Sequence, residues 1–265
     1  MYRVELGKAA RRWRTWTLAA VLGGIPVLIV IGLLTSHPHA HEGPPFFTLI
    51  LKNGLFTPLT SLAVLQPFFL PLTASLLAGD AIAGEASAGT LRYLLARPVG
   101  RRRLIAHKYL AAMTLVALAV LWVVVVGTIA GGSAFGFGAL PTLSGTLLST
   151  GEAVVRILGA ALYVTAGVAG LAAIGVFVST LTESSPGATV ATVVVALVSQ
   201  VLDSLTTLRA VHPYLLSHDW TNFADLFRDP VEWHGIVHGL VVDGSYVAVF
   251  LGAALYAFTR RDVAA

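Results

Sequence analysis

Six runs of roughly 20 residues or more, five uncharged and one with a single acid, divide this chain: residues 15–36, 53–79, 109–132, 157–182, 184–202 and 239–259. The hydrocarbon core of a bilayer is about 30 Å thick, and about 20 apolar residues of helix cross it. Lipid offers no hydrogen bonds to a peptide group, so each run is predicted to be an α-helix that satisfies its own backbone. The expectation is an all-α, polytopic membrane protein with six transmembrane helices in one domain over residues 1–265. Composition agrees: 56% of the residues are hydrophobic, only 11% are charged, and the mean hydropathy is +0.82. A soluble domain carries about 25% charged residues, so a water-soluble enzyme is excluded, as is a disordered chain. With no cysteine, disulfides, thiolate zinc sites, iron–sulfur clusters and cysteine nucleophiles are excluded too.

The runs differ in quality. The second contains Pro58, Pro67 and Pro71, and the sixth is the weakest because Asp243 sits near its start. The fourth and fifth are separated by a tight turn through Pro186-Gly187, which cannot continue a helix. A basic flank precedes the first run, but Thr35-Ser36-His37-Pro38-His39 follows it with no small-x-small cleavage pattern. It is read as a retained helix.

Lysine and arginine bias sets the orientation. Six crossings place both termini on one side, together with 13 of the 17 basic residues, among them Arg3, Lys8, Arg11, Arg12, Arg14, Arg101–Arg103, Lys108, Arg260 and Arg261. The formal charge divides as +8 on that side and −4 on the other. The basic side is therefore predicted to be cytoplasmic, and the basic total needs no nucleic-acid partner. Trp13 and Trp16 beside Arg11, Arg12 and Arg14 fit either an interfacial N-terminal helix against membrane lipid or an ordinary positive flank.

The most informative segment is residues 79–108. Asp80 is a plausible N-cap, and Pro98 ends any helix at or before Arg97. Leu91, Leu94 and Leu95 fall at i, i+3 and i+4 on one face, with Glu85 and Arg92 off it. This spacing predicts a short amphipathic helix between the second and third crossings; one reading has it lying along the inner leaflet.

Glu85, then Gly89-Thr90-Leu91, Leu94-Leu95 and Arg97-Pro98, a basic residue about three further on, and Lys108 entering the next helix resemble the first cytoplasmic loop of the ABC-2 type exporter permeases. The ending Phe258-Thr259-Arg260-Arg261-Asp262-Val263 is similar to theirs, while Gly100 replaces the serine many of them carry. The resemblance implies a membrane subunit of an ATP-driven exporter in a prokaryotic cell membrane, two copies working with two copies of a separate ATPase. It also implies that the loop helix docks into a cleft of that ATPase and couples its movement to the membrane helices. The contact residues carried over are Glu85, Gly89, Thr90, Leu91, Arg92, Leu94, Leu95 and Arg97. No G-x-x-x-x-G-K-[ST] phosphate loop occurs, since Gly7-Lys8 lacks the upstream glycine and is followed by Ala9. ATP and Mg are accordingly expected on the partner ATPase, no cofactor on this chain, and no enzymatic activity here. Two alternatives remain at this level: an ATPase-binding membrane anchor, and an accessory protein for periplasmic metal-enzyme maturation.

The second alternative comes from the histidines, seven of which fall on the outer side. His37, His39 and His41 share one loop, and His234 and His238 have i, i+4 spacing suited to a common ligand. Three histidines in a Pro-containing loop are a weak site without further convergence, and a solvated loop is the preferred reading of them. No serine has a histidine within reach in sequence at membrane depth. Asp203 and Asp243 flank the fifth and sixth crossings and are read as solvated at the outer interface, although carboxylates at membrane depth also mark proton or substrate paths. In the outer segment, Leu216, Trp220, Phe223 and Phe227 have near-helical spacing and predict a short helix dipping back into the leaflet. Gly159, Gly167, Gly170 and Gly175 permit close helix approach, within the chain or across a dimer.

Overall fold

The computed structural model describes residues 2–35, 49–51, 53–89 and 100–260. Two helices open the chain, α1 (Tyr2–Arg11) and α2 (Trp13–Thr35). The second crossing is a pair, α3 (Phe56–Leu65) and α4 (Phe69–Ser87), and α5 (Arg101–Phe135) is the third. A hairpin of two-residue strands, β1 (Leu140–Pro141) and β2 (Leu147–Leu148), leads to α6 (Thr150–Ala166) and α7 (Ala169–Leu181). Then come α8 (Ser185–Ser204), the 3-10 turns Thr206–Leu208, His212–Tyr214 and Asn222–Phe227, and α9 (Trp233–Arg260). Among the described residues, five segments are long and apolar enough to span a bilayer, α6 and α7 counting together, and the bent pair α3 and α4 makes a sixth when counted as one span. The chain is an all-α polytopic membrane protein.

The second crossing is not one straight rod. α3 and α4 meet at 62°, and the prolines supply the cause. A proline inside a helix has no N–H to give and its ring collides with the carbonyl four residues back. Pro67 acts on Ala63 in this way, and Pro71 leaves the Pro67 carbonyl without its helical donor. Gln200 of α8 makes up the loss, its Nε2 donating to the Pro67 oxygen at 2.7 Å. The break is thus held by a neighbouring helix, as backbone irregularity at membrane depth has to be.

Three further expectations are corrected. Asp80 does not cap a helix, because α4 runs through it to Ser87. The helix of the third crossing begins at Arg101 rather than at 109, with Arg102 and Arg103 exposed and Lys108 buried against partners described below. The outer segment is not an α-helix: Leu216, Trp220, Phe223 and Phe227 are all buried, but turns and 3-10 geometry carry them there.

Small residues decide which helices touch. A Cβ at Gly127 would lie 2.9 Å from Pro58 Cα, and one at Gly131 would overlap Thr57, so glycine lets α5 press on α3. Gly79 meets Thr189 of α8 and Gly175 meets Ala78, which seats α4 between α7 and α8. The Ser179 hydroxyl of α7 donates to the Gly79 carbonyl at 2.8 Å and accepts from the Ile82 and Ala83 amides at 3.0 and 2.8 Å. α9 packs on α7 and α2 on α5. Leu28, Leu34, Ile129, Leu162, Val201, Val241 and Val249 stay on the outside of the bundle, where lipid is the natural neighbour of an apolar side chain.

Candidate functional site: the basic end of the bundle

Four helix ends converge at one end of the molecule. α4 arrives with Asp80 and Glu85, α5 leaves with Arg101 and Lys108, α1 lies across them, and α9 ends beside them. Lys108 is buried, which a lysine tolerates only when its charge is met. Its ammonium lies 2.8 Å from Glu5 Oε2 and 3.1 Å from Glu85 Oε1. Lys8 adds a second cation 3.0 Å from Glu85 and 3.9 Å from Glu5. One turn back along α4, Asp80 pairs with Arg12 and accepts from the Ser185 hydroxyl at 2.6 Å. The Tyr2 and Thr114 hydroxyls meet at 2.7 Å and fasten the far end of α1 to α5. Arg101 closes the frame, its Nη1 donating to the Thr259 and Phe258 carbonyls at 2.7 and 3.2 Å. Those are orphan acceptors at the end of α9, where a cation is also favoured by the helix dipole.

This frame holds both stumps of the loop that the sequence singles out. α4 stops because Gly89 adopts φ +67°, the left-handed conformation that closes a helix with glycine, its N–H bonded to the Ala86 carbonyl at 3.0 Å. α5 starts from the extended Gly100. Of the residues carried over as ATPase contacts, Thr90, Leu91, Arg92, Leu94, Leu95 and Arg97 lie outside the described residues. Gly89 is at the exposed edge. Glu85 instead faces inward among Lys8 and Lys108. Sequence reading placed Glu85 near the loop but not in this network, because its partners are 77 and 23 residues away in sequence.

At the opposite end, the β1–β2 hairpin and the 3-10 segment lock together. Leu143 donates its amide to the Phe227 carbonyl at 2.8 Å, and Arg156 reaches the Leu226 and Arg228 carbonyls, each at 2.8 Å. Asp225 and Glu232 beside Arg228 stabilise its guanidinium and raise its pKa further. His238 meets Asp219 Oδ2 at 2.7 Å, and neither it nor His234 joins a cluster of three metal-ligating side chains among the described residues. His37, His39 and His41 lie outside the described residues. Sequence reading missed one grouping altogether, that of Asp203 with His212 and His218.

The family described as ABC-2 family transporter protein matches residues 49–227, which includes the α4–α5 frame and the hairpin. The chain belongs to this family. Two relatives of this ABC-2 chain carry the name Probable ABC transporter permease protein NosY. The one from Stutzerimonas stutzeri is 48% identical over 63 residues, 24% of this chain and 23% of that protein. The one from Pseudomonas aeruginosa is 49% identical over 61 residues, 23% of this chain and 22% of that protein. The chain is thus aligned with about a quarter of the length of the curated relatives it matches. Family and fold agree that the ABC-2 chain is an integral membrane protein.

Proposed function

We propose that this chain is the membrane subunit of an ATP-driven exporter, two copies acting with two copies of a separate phosphate-loop ATPase that holds ATP and Mg. The family match carries this reading, and the geometry of the basic end supports it. A segment of ten residues, 90–99, joins two helix ends that are cross-linked by buried ion pairs. A push on that segment is transmitted to α4 and α5 rather than absorbed by a loose hinge. In this reading Gly89, Thr90, Leu91, Arg92, Leu94, Leu95 and Arg97 form the ATPase contact, and Glu85 positions it by holding the stumps together. The basic end faces the cytoplasm of a prokaryotic cell with both termini, by the lysine and arginine bias, and α1 lies at the inner interface.

The test is Leu94→Asp. The apolar face of Leu91, Leu94 and Leu95 buries area against the ATPase at about 25 cal/mol per Å². A carboxylate placed in that desolvated contact costs several kcal/mol. The variant should insert normally yet fail to copurify with the co-expressed ATPase, or fail to change its hydrolysis rate in proteoliposomes. Wild-type copurification together with wild-type coupling would defeat the reading.

A further inference from the structure

At the end of the bundle opposite the basic frame, α8 finishes with a carboxylate in its last turn, Asp203. The last carbonyls of a helix are the negative end of its dipole, so an anion there is in the wrong place unless a cation accompanies it. Among the described residues, the groups paired with Asp203 are two histidines, with His218 Nδ1 at 2.6 Å and His212 Nδ1 at 3.7 Å from the same Oδ1. The three ligand atoms lie within 4.8 Å of one another.

The bonding around His212 fixes what that nitrogen offers. Its Nε2 lies 3.1 Å from the Leu205 carbonyl. A carbonyl only accepts, so Nε2 carries a hydrogen, and Nδ1 is the nitrogen left to ligate, 3.7 Å from the Asp203 carboxylate oxygen. A cation seated between that nitrogen and the carboxylate would be bonded by both. A backbone carbonyl that holds the far nitrogen and orients the ring is what ligating histidines regularly have.

The arrangement is also held before any ligand arrives. Ser217, next to His218, donates its amide to Ser199 Oγ of α8 at 3.1 Å, and the two hydroxyls meet at 2.8 Å. Leu215 and Leu216 anchor the same loop by burial. Bonds of about 2.0–2.1 Å to nitrogen and 2.0–2.2 Å to oxygen in a tetrahedron put ligand atoms about 3.3–3.5 Å apart. The His212 spacing is already close to this, while the His218 hydrogen bond must open by less than about 1 Å.

We propose that Asp203, His212 and His218 form a binding site for a divalent late first-row metal ion of the Zn2+ or Cu2+ type. Two imidazoles and one carboxylate suit these ions. The absence of a thiolate or thioether in the set disfavours Cu+, and its two nitrogens disfavour Ca2+ and Mg2+. All three residues are partly exposed, so an ion has access from solvent and water can complete its coordination. The proposal stands on this geometry alone and is independent of the exporter reading.

The experiment titrates the purified full chain in lipid nanodiscs with ZnCl2 by calorimetry, and with CoCl2 by visible absorption. The variants are Asp203→Asn, His218→Gln and the triple His37→Gln, His39→Gln, His41→Gln, each checked for a wild-type elution profile. About one equivalent of Zn2+ should bind the wild type and the triple variant alike. Binding should weaken by about tenfold or more in Asp203→Asn and in His218→Gln, with loss of the Co2+ bands. Because His218 is in a surface loop, its replacement tests the site even if Asp203→Asn misfolds. Unchanged affinity in His218→Gln, loss of binding in the triple variant alone, or no saturable binding to the wild type would overturn the proposal.

Discussion

Replacing Lys108 with methionine keeps most of its volume and removes its charge. Its side chain is 5% exposed, and the ammonium sits between Glu5 and Glu85 at 2.8 and 3.1 Å. Removing one partner of a buried pair costs about 3–5 kcal/mol, mainly because the remaining charge is left in a poor solvent. Here Lys8 is still 3.0 Å from Glu85 but is nearly half exposed, so it compensates in part and the lower end applies. A loss of about 3 kcal/mol is roughly a hundredfold in the folding equilibrium, readable as an earlier transition in an SDS titration of mixed micelles. Adding Glu5→Gln and Glu85→Gln removes the stranded carboxylates and should recover most of that loss, because the cost lies in unpaired charge and not in missing contacts. The reasoning fails if Lys108→Met unfolds like the wild type, or if the triple variant is no more stable than the single one.

Three other expectations are simpler. Ser87→Cys should react only with membrane-permeant thiol reagents in intact cells, and Ser144→Cys with impermeant ones; outside labelling at residue 87 would reverse the orientation. Gly127→Leu drives a side chain into Pro58 of α3, and overpacking of this kind costs about 1–3 kcal/mol, measurable as reduced monodispersity and an earlier SDS transition. Gln200→Leu strips the donor from the Pro67 carbonyl and should cost about 1 kcal/mol on the same titration, the scale of interhelical hydrogen bonds in membranes.

The spans were legible because lipid imposes a length and a polarity on every crossing, and both are local properties of sequence. Their ends were not. α5 begins at Arg101, and the Lys108 buried in its first turns is met by carboxylates 103 and 23 residues away, a pairing that no window of sequence contains. The prolines of the second crossing were visible, but the Gln200 that meets the carbonyl freed at the 62° bend is supplied by another helix. Burial of Leu216, Trp220, Phe223 and Phe227 was correctly signalled by their apolar character. Their helical spacing misled, since the 3-10 turns bury the same residues with different geometry. Asp203, His212 and His218 follow no ligand-spacing motif, so only the fold brings them together.

The kink after Leu65 divides one crossing between two sets of neighbours. Its first half, α3, leans chiefly on α5 and α2, whereas its second half, α4, is clamped by α7 and α8 and also packs on α5, with an ion pair to Lys108 at the basic end. A straight helix shared in this way would resist any sliding of those neighbours, since bending it would break backbone hydrogen bonds in a medium that replaces none of them. Here those bonds are already absent at Pro67 and Pro71, and the exposed carbonyl is held by a single side chain on α8. The joint therefore behaves as an elbow built into the resting structure: the angle between upper and lower arms can change at the expense of one glutamine contact, without unwinding a turn of helix.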